Sequence, residues 1–352
     1  MENIKIRSAE LSDAPRLSEI YRYYVENTAI SFEYAAPSAA EFAARMENIM
    51  KKYPYLAAES DGVIVGYAYA HAFHERAAYG WAAELTVYVD RNCRGSGCGR
   101  RLYEALEKEL KKMGVLNLYA LVAYPEEEDE YLTKNSLNFH KHMGFAEIGH
   151  QHSCGQKFGR WYDMTVVEKL IGEHVPDAPA VISYPDLKLK FRPAEASDLD
   201  DVLEMLFAAR RKLNSQGIKM WDETYPNKAV LENDLAKESL FVGTLGGKVA
   251  ACYVINDDCD EDYVNGSWQY PDTRYRFGHR LCVDTRLQGR GLASQVMEHV
   301  EEQLRAEGVE SFRFEAYADN PVSLALYEKH GYKCVGEMHW DIGVFYLMEK
   351  LL

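Results

Sequence analysis

Two short stretches of this chain carry the residue types and spacing needed to hold an anion: Arg94-Gly95-Ser96-Gly97-Cys98-Gly99 and Gln288-Gly289-Arg290-Gly291-Leu292-Ala293. Each follows a run that reads as a strand and precedes one that reads as a helix. Glycines there let the backbone turn tightly and aim successive N–H groups at one point, and the following helix adds the positive end of its dipole. Pyrophosphate is the ligand such a device suits. The competing reading, a dinucleotide-binding fingerprint, needs three spaced glycines after the first strand of a βαβ unit and an acidic residue about 20 positions later. Here several elements precede each loop.

Other reactive side chains are less pointed. His150, His152 and Cys154 alternate along an apparent strand and would share a face. With no fourth ligand in view, no metal is expected. Cys93 and Cys98 flank the first loop, either as small buried residues or as thiols that make the site sensitive to alkylation.

The loops are one of three landmarks that occur twice in the same order. Ile4 to Asp13 has a counterpart in Leu189 to Asp198, at an offset of 185, and Ser136 to Phe145 in Ser323 to Tyr332, at an offset of 187, against 194 for the loops. Two copies of one fold follow. The offsets place nine extra residues in the second copy, within Asp257 to Asp272, and seven in the first, at Pro125 to Tyr131. We expect domains at 1–172 and 187–352, with 173–186, which holds Pro176, Pro179 and Pro185, as a stiff linker.

Each copy reads as strand, helix, helix, hairpin, long strand, glycine loop, helix, strand, helix, strand, strand. Ser38 with Glu41 forms a capping box, Asp61-Gly62 a hairpin turn, and Gly114 and Gly308 close the helices after the loops. The fold class is therefore α/β (α+β), each copy a mixed central sheet flanked by helices.

Over nearly its whole length the sequence resembles the GNAT superfamily of acetyltransferases. The Q/R-x-x-G-x-G/A loop of that family holds the pyrophosphate of acetyl-CoA, and here it is Arg94, Gly97 and Gly99, then Gln288, Gly291 and Ala293. The second signature, N-x-x-S-x-x-x-Y-x-x-x-G-F/Y, is complete as Asn320, Ser323, Tyr327, Gly331 and Tyr332; the first copy has Thr133, Ser136, His140, Gly144 and Phe145. The first copy resembles the phosphinothricin and methionine sulfoximine or sulfone N-acetyltransferases through Arg76, Tyr79, Trp81, Glu84 and Thr86 to Val89. Gly155, Lys157, Gly159, Trp161, Asp163 and Ser31-Phe32 extend that match.

The resemblance implies an N-acetyltransferase that uses acetyl-CoA. Gly95, Gly289 and the strand ends Val87, Val89, Cys282 and Val283 join the loops and Ser136 as cofactor contacts. Glu84 is the implied base, because an amine attacks a thioester only when neutral. Tyr327 suits the proton donor to the departing thiolate, with His140 in its place in the first copy; a merely packed histidine is the alternative. Arg76 is a candidate for an acceptor carboxylate and Phe32, Tyr79 and Trp81 for the walls of the acceptor pocket. Counting back from the second loop, Gly278 falls where Glu84 stands, with His279 on the opposite face, so a base there must come from elsewhere: Glu223, Asp222 or His279. An active second domain and one that only binds acetyl-CoA both stay open, as does protein or peptide acetylation by the first.

Bulk properties agree. The length, 352 residues, suits two domains, and a net charge of −15 argues against nucleic acid, which needs a basic surface. No apolar run approaches the ~18 residues of a membrane span, and the seven cysteines include no CxxC pair. We expect reduced thiols, a cytoplasmic location, a small-molecule amine as partner, and a homodimer of chains.

Overall fold

The structure is a computed structural model that describes residues 4–259 and 261–352, and the chain divides into two compact units, Met1–Leu187 and Lys188–Leu352. In the first, β1 (Ile4–Ser8) leads to α1 (Ala14–Asn27) and α2 (Ala39–Met50). Then follow β2 (Tyr55–Ser60), β3 (Val63–Ala72), β4 (Ala82–Val89), α3 (Cys98–Met113), β5 (Asn117–Tyr124), α4 (Asn135–His142), β6 (Ala146–Lys157) and β7 (Arg160–Leu170). The Ser38 hydroxyl and Glu41 carboxylate accept from each other's backbone N–H and start α2. Asp61 and Gly62 both take positive φ, 51° and 79°, which gives the two-residue turn that joins β2 to β3. Helix α3 buries Leu102, Leu106 and Leu110, one turn apart, and stops at Gly114, whose φ of 92° suits only glycine without strain.

The strands form one sheet in the order β1-β2-β3-β4-β5-β7-β6. Only β4 and β5 run parallel, and their pairing lasts from Ala82–Asn117 to Glu84–Tyr119. Beyond Glu84 they part: β4 stays with β3 to Val89, and β5 stays with β7 to Tyr124. Helix α3 packs on Ala83, Leu85, Leu118 and Ala120 on one face, and α1 and α2 cover Tyr55 and Tyr67 on the other.

The second unit repeats this. It comprises β8 (Lys190–Pro193), α5 (Leu199–Ser215), α6 (Lys228–Ala236), β9 (Leu240–Leu245), β10 (Lys248–Asn256), β11 (Tyr275–Val283), α7 (Leu292–Ala306), β12 (Ser311–Tyr317), α8 (Pro321–Lys329), β13 (Lys333–Trp340) and β14 (Gly343–Leu351). The sheet order is β8-β9-β10-β11-β12-β14-β13, and β11 and β12 part after Gly278 and Phe314. One difference matters. Strand β11 carries an extra residue opposite β10, a bulge at which Arg280 takes φ 53°.

The segment expected as a linker, 173–186, lies on the first unit. Ile182 N–H donates to the Met113 carbonyl (2.9 Å), Tyr184 N–H to Lys52 (2.8 Å), and Leu187 is buried in that core. Among the described residues no helix is long and apolar enough to cross a membrane.

Strand β12 is fixed to β14 by a buried ion pair. Arg313 donates to Glu349 at 3.0 Å with side chains 4% and 1% exposed, and the Gln269 N–H donates to the other Glu349 oxygen (2.7 Å). Glu349→Ala strands a buried guanidinium and should cost the second unit about 3–5 kcal/mol in urea unfolding. A loss below about 1 kcal/mol would show that this pair does not anchor β12.

Candidate active site

The glycine loops have the geometry their spacing suggests. Gly95 and Gly97 take φ 75° and 80°, Gly289 and Gly291 79° and 80°, and Gly97 and Gly291 are the N-caps of α3 and α7. A side chain in that region costs roughly 1–2 kcal/mol. A Cβ on Gly97 would meet nothing within 4 Å, so the glycine serves the turn and the space in front of it. The first intrahelical bond is Arg101 N–H to Gly97 (3.1 Å); before it the Cys98 N–H is met by the Ser96 hydroxyl (3.4 Å), and the helix start presents the positive end of its dipole, which suits an anion. Gly99 would place a Cβ 3.5 Å from Phe139, an ordinary contact, and Ala293 fills the matching place in the second loop.

The fork beside each loop exposes backbone donors. Asp90 N–H donates to the Val65 carbonyl (2.8 Å) and Trp81 accepts from the start of β5. Antiparallel alternation then turns the N–H groups of Val87 and Val89 into the gap that β5 has left. Tyr24 O–H donates to the Val89 carbonyl (2.5 Å), and the Arg94 guanidinium lies over the Tyr24 ring, 5.0 Å from its centre. In the second unit Asp284 N–H donates to Ala250 (2.9 Å), so Val283 faces the gap. Cys282 faces β10 and is a ladder partner of Cys252, which removes it from the expected cofactor contacts.

Glu84 occupies the last paired position before the first fork. Opposite it on β3, His71 directs Nδ1 at the Ala72 carbonyl (3.0 Å), so that nitrogen holds the proton and Nε2 faces Glu84 Oε1 at 3.8 Å. Burial raises the pKa of Glu84, against a smaller opposing pull from His71 and His74. On the same face Phe73 stacks on Tyr119 (4.0 Å between centres), and Tyr79 packs edge-on against His74 (4.7 Å).

The other expected acceptor residues divide. Phe32 packs against Ala123 on the free end of β5, and a Cβ at Gly155 would overlap its ring at 2.2 Å. Buried Lys157 donates to the Val25 and Ser31 carbonyls (2.7 and 2.6 Å) and holds that loop in place. Arg76 is exposed and makes no ion pair among the described residues. Trp81 donates its indole N–H to Pro179 (2.8 Å) and lines, with Tyr79, a cleft of about 320 Å³ at the opposite end of β4 from the fork. It anchors the 173–186 segment.

The bulge in β11 corrects the expected alignment of the second unit. Glu84 pairs with His71 and Tyr119; the residue in that place pairs with Asn256 and Arg313, and it is Phe277. His279, two residues on, therefore shares the face that Glu84 occupies in the first unit. Gly278 is a packing glycine, because a Cβ would sit 2.4 Å from the Phe312 ring. Asp222 accepts from Thr224 and Tyr225 N–H groups (2.7 and 2.9 Å) and closes a turn, and Glu223 is exposed. Asn320 caps α8 through Ser323 N–H (3.3 Å); the N-cap of α4, Lys134, makes no side-chain bond of this kind. Tyr327 borders a cavity of about 490 Å³ at the fork.

Residues 6–166 match the family described as "Acetyltransferase (GNAT) domain", and residues 204–332 the "Acetyltransferase (GNAT) family". Phosphinothricin N-acetyltransferase of Alcaligenes faecalis is 34% identical over 47% of this chain and 81% of its own length. An L-amino acid N-acyltransferase of Escherichia coli is 30% identical over 50% and 99%. The chain belongs to the GNAT acetyltransferase family. The L-methionine sulfoximine/L-methionine sulfone acetyltransferase of Salmonella typhimurium, also 30% identical, covers 49% of this chain and 98% of its own. A phosphinothricin acetyltransferase from Sinorhizobium meliloti, solved in complex with AcCoA, is 32% identical over 52% of this chain and 96% of its own, with a TM-score of 0.47.

Two expectations for the first GNAT domain need correction. His140 is 4% exposed; Nδ1 sits 2.7 Å from the Ser136 carbonyl and so carries the proton, and Nε2 accepts from the Tyr103 hydroxyl at 2.9 Å. Burial pushes its pKa down to about 4. With its one proton held by a helix carbonyl, it is a packed, neutral histidine and not a proton donor. Cys154 does not share the face of His150 and His152, whose rings lie 4.8 Å apart, because Ser153 takes φ 45° and the register to β7 slips there. His150 and His152 turn to Asp163 (2.8 and 3.4 Å), and Cys154 turns to the Tyr162 carbonyl.

The depressed pKa of His140 has a measurable sign. The unfolded chain takes the proton near pH 6.5 and the folded one only near pH 4. The group's contribution is thus intact above pH 6.5 and falls by about 3 kcal/mol as the pH drops through that window. His140→Phe should cost about 1–2 kcal/mol at pH 7, because Tyr103 loses its acceptor, and this gap should narrow or reverse by pH 4. A wild-type minus variant difference that stays flat from pH 7 to 4 would contradict the assignment.

Proposed function

We propose that the first domain transfers the acetyl group of acetyl-CoA directly to the amine of a small amino-acid-like acceptor, of the methionine sulfone, methionine sulfoximine or phosphinothricin type. The observation that carries this reading is Glu84, a half-buried carboxylate at the last paired position of the fork, facing an imidazole whose proton is tied elsewhere. The names of the relatives support the donor and the acceptor class.

In this reading the pyrophosphate rests on the N–H groups from Arg94 to Gly99, and the Val87 and Val89 N–H groups pair with the pantetheine arm and the thioester carbonyl. Preorganised donors aimed at a developing oxyanion are the largest single aid to acyl transfer. Neutralising an α-amine of pKa about 8 at pH 7 costs roughly 1.4 kcal/mol. Glu84 takes that proton, and the raised pKa that burial gives it makes it a better base than an exposed carboxylate. Exposed Arg76 is suited to the acceptor carboxylate, and Phe32 and Tyr79 bound the face on which Glu84 stands. A CoA thiolate, with a pKa near 8.5 if it behaves as cysteine does, departs without a dedicated acid.

Glu84→Gln keeps the shape and removes the base. With L-methionine sulfone, kcat/KM at pH 7 should fall roughly 100-fold or more, the loss shrinking as pH rises, while acetyl-CoA affinity holds. Near-normal turnover would remove Glu84 from the mechanism. We also expect a homodimer of chains; light scattering that gives only a single-chain mass would refute that.

A further inference from the structure

The cavity of about 490 Å³ in the second unit spans the fork between β11 and β12, with Met297 and Val300 of α7 at one end and Tyr263, His279, Glu315 and Trp340 at the other. We propose that this is a second catalytic centre, in which Glu315 with His279 takes the proton of the acceptor and Tyr327 supplies one to the departing sulfur. Its acceptor is a primary amine on an aromatic or apolar body without a carboxylate. The proposal rests on the reading of the glycine loops as acetyl-CoA sites.

The carboxylate and imidazole are arranged as in the first domain, with the carboxylate on the other strand of the fork. His279 Nε2 faces two oxygens, the Asp258 carbonyl and Asn256 Oδ1, each at 3.1 Å. A carbonyl accepts only, so Nε2 holds a proton and Nδ1 faces Glu315 Oε1 at 3.4 Å. The other Glu315 oxygen accepts from the Tyr263 hydroxyl. When the imidazole is neutral and the carboxylate charged, the pair has one vacant proton position, between Nδ1 and Oε1. In the first domain His71 Nε2 and Glu84 Oε1 face each other likewise, at the longer distance of 3.8 Å. In strand register Glu315 stands where the first domain has Leu121, 43% exposed, and His279 where it has Thr86.

Two further observations give the pair a use. Tyr263 comes from the stretch Asp257 to Asp272, where the second copy is longer, so the insertion builds a wall of this cavity and orients its carboxylate. Tyr327 packs on Phe314, 4.5 Å between centres, and borders the same space. Burial first, and Glu315 second, raise its pKa well above that of free tyrosine, so it stays a donor. Burial works against the Glu315 carboxylate, but its hydrogen bonds with His279 and Tyr263 outweigh it and hold its pKa below the ordinary value, so it stands charged beside the opening.

The walls name the acceptor. Trp221, Tyr225, Tyr263, Trp340 and Phe345 line the cavity, and its one guanidinium, Arg280, is held by Asp234 (2.7 Å) and Tyr225 (2.5 Å). Both Nη groups of Arg280 are engaged, although its Nε and Asp234 Oδ2 are buried without partners among the described residues; no Nη pair is left to fork onto a carboxylate, while aromatic rings favour an apolar cation. In the reaction the thioester C–S bond breaks as the N–C bond forms. The ammonium acceptor loses two protons, one to the sulfur through Tyr327 and one to solvent through the pair.

The test uses the full chain with acetyl-CoA and 2-phenylethylamine as probe. The titratable groups around the pair are Tyr263, Tyr225, Tyr327 and the Arg280–Asp234 pair, with Asp222, Cys259 and Asp258, whose carboxylate pairs with Lys237, lining the same cavity. Glu315→Gln should lower kcat/KM for 2-phenylethylamine roughly 100-fold at pH 7, less at pH 9 and above, and leave turnover of L-methionine sulfone unchanged. Glu84→Gln should do the reverse. His279→Gln should reproduce the pH-dependent loss and serves as the test if Glu315→Gln does not fold. Unchanged amine turnover in either variant, a loss independent of pH, or a wild-type chain that binds acetyl-CoA at its second loop but leaves 2-phenylethylamine untouched would overturn the proposal. Absence of acetyl-CoA at the second loop would instead sink the donor reading.

Discussion

Everything at these sites depends on two parallel strands that stop pairing. A sheet normally satisfies its backbone groups by running strands side by side, and an orphaned buried amide costs about 1–3 kcal/mol. Here β4 leaves β5 after three paired positions and β11 leaves β12 after four. Each opening stands beside the N-terminus of a helix whose cap is a left-handed glycine. Strand amides turned into the fork and the amides of a helix start thus border one opening, suited to a ligand with carbonyl groups at one end and phosphates at the other.

With that opening fixed, the chemistry around it is free to change. In the first unit the fork carboxylate is on β4 and its imidazole on β3; in the second, the imidazole is on β11 and the carboxylate on β12. A single extra residue at Arg280 accompanies this exchange, because it shifts the parity of the strand between the fork and the loop. Phe277 fills the place of Glu84, and His279 turns toward the acceptor face. The tautomer logic survives the exchange: a carbonyl holds one imidazole N–H, and the remaining nitrogen faces the carboxylate.

Much of this was legible in the sequence. The order of elements, the capping box at Ser38, the Asp61-Gly62 turn and the glycines after α3 and α7 are local signals, and each is set by backbone conformations that few residues tolerate. The repeat located both loops. What escaped depends on long-range register. Offset counting cannot see a bulge, so it placed Gly278 opposite Glu84. Motif matching cannot see burial, so His140 was given a tyrosine's role although Tyr103, 37 residues away, occupies one of its nitrogens. Glu315 carries no local signal at all, since only the pairing of β11 with β12 brings it to His279. Proline content suggested a stiff linker between domains at 173–186, but Ile182, Tyr184 and Leu187 pack on the first unit.

The central claim is that both forks hold acetyl-CoA, and the direct measurement is the number bound per chain by titration calorimetry. The account predicts two for the full-length protein and one for Gly97→Glu, in which a carboxylate occupies the first pyrophosphate cradle while the second is untouched. One bound acetyl-CoA on the unmodified chain, or two on Gly97→Glu, would contradict it.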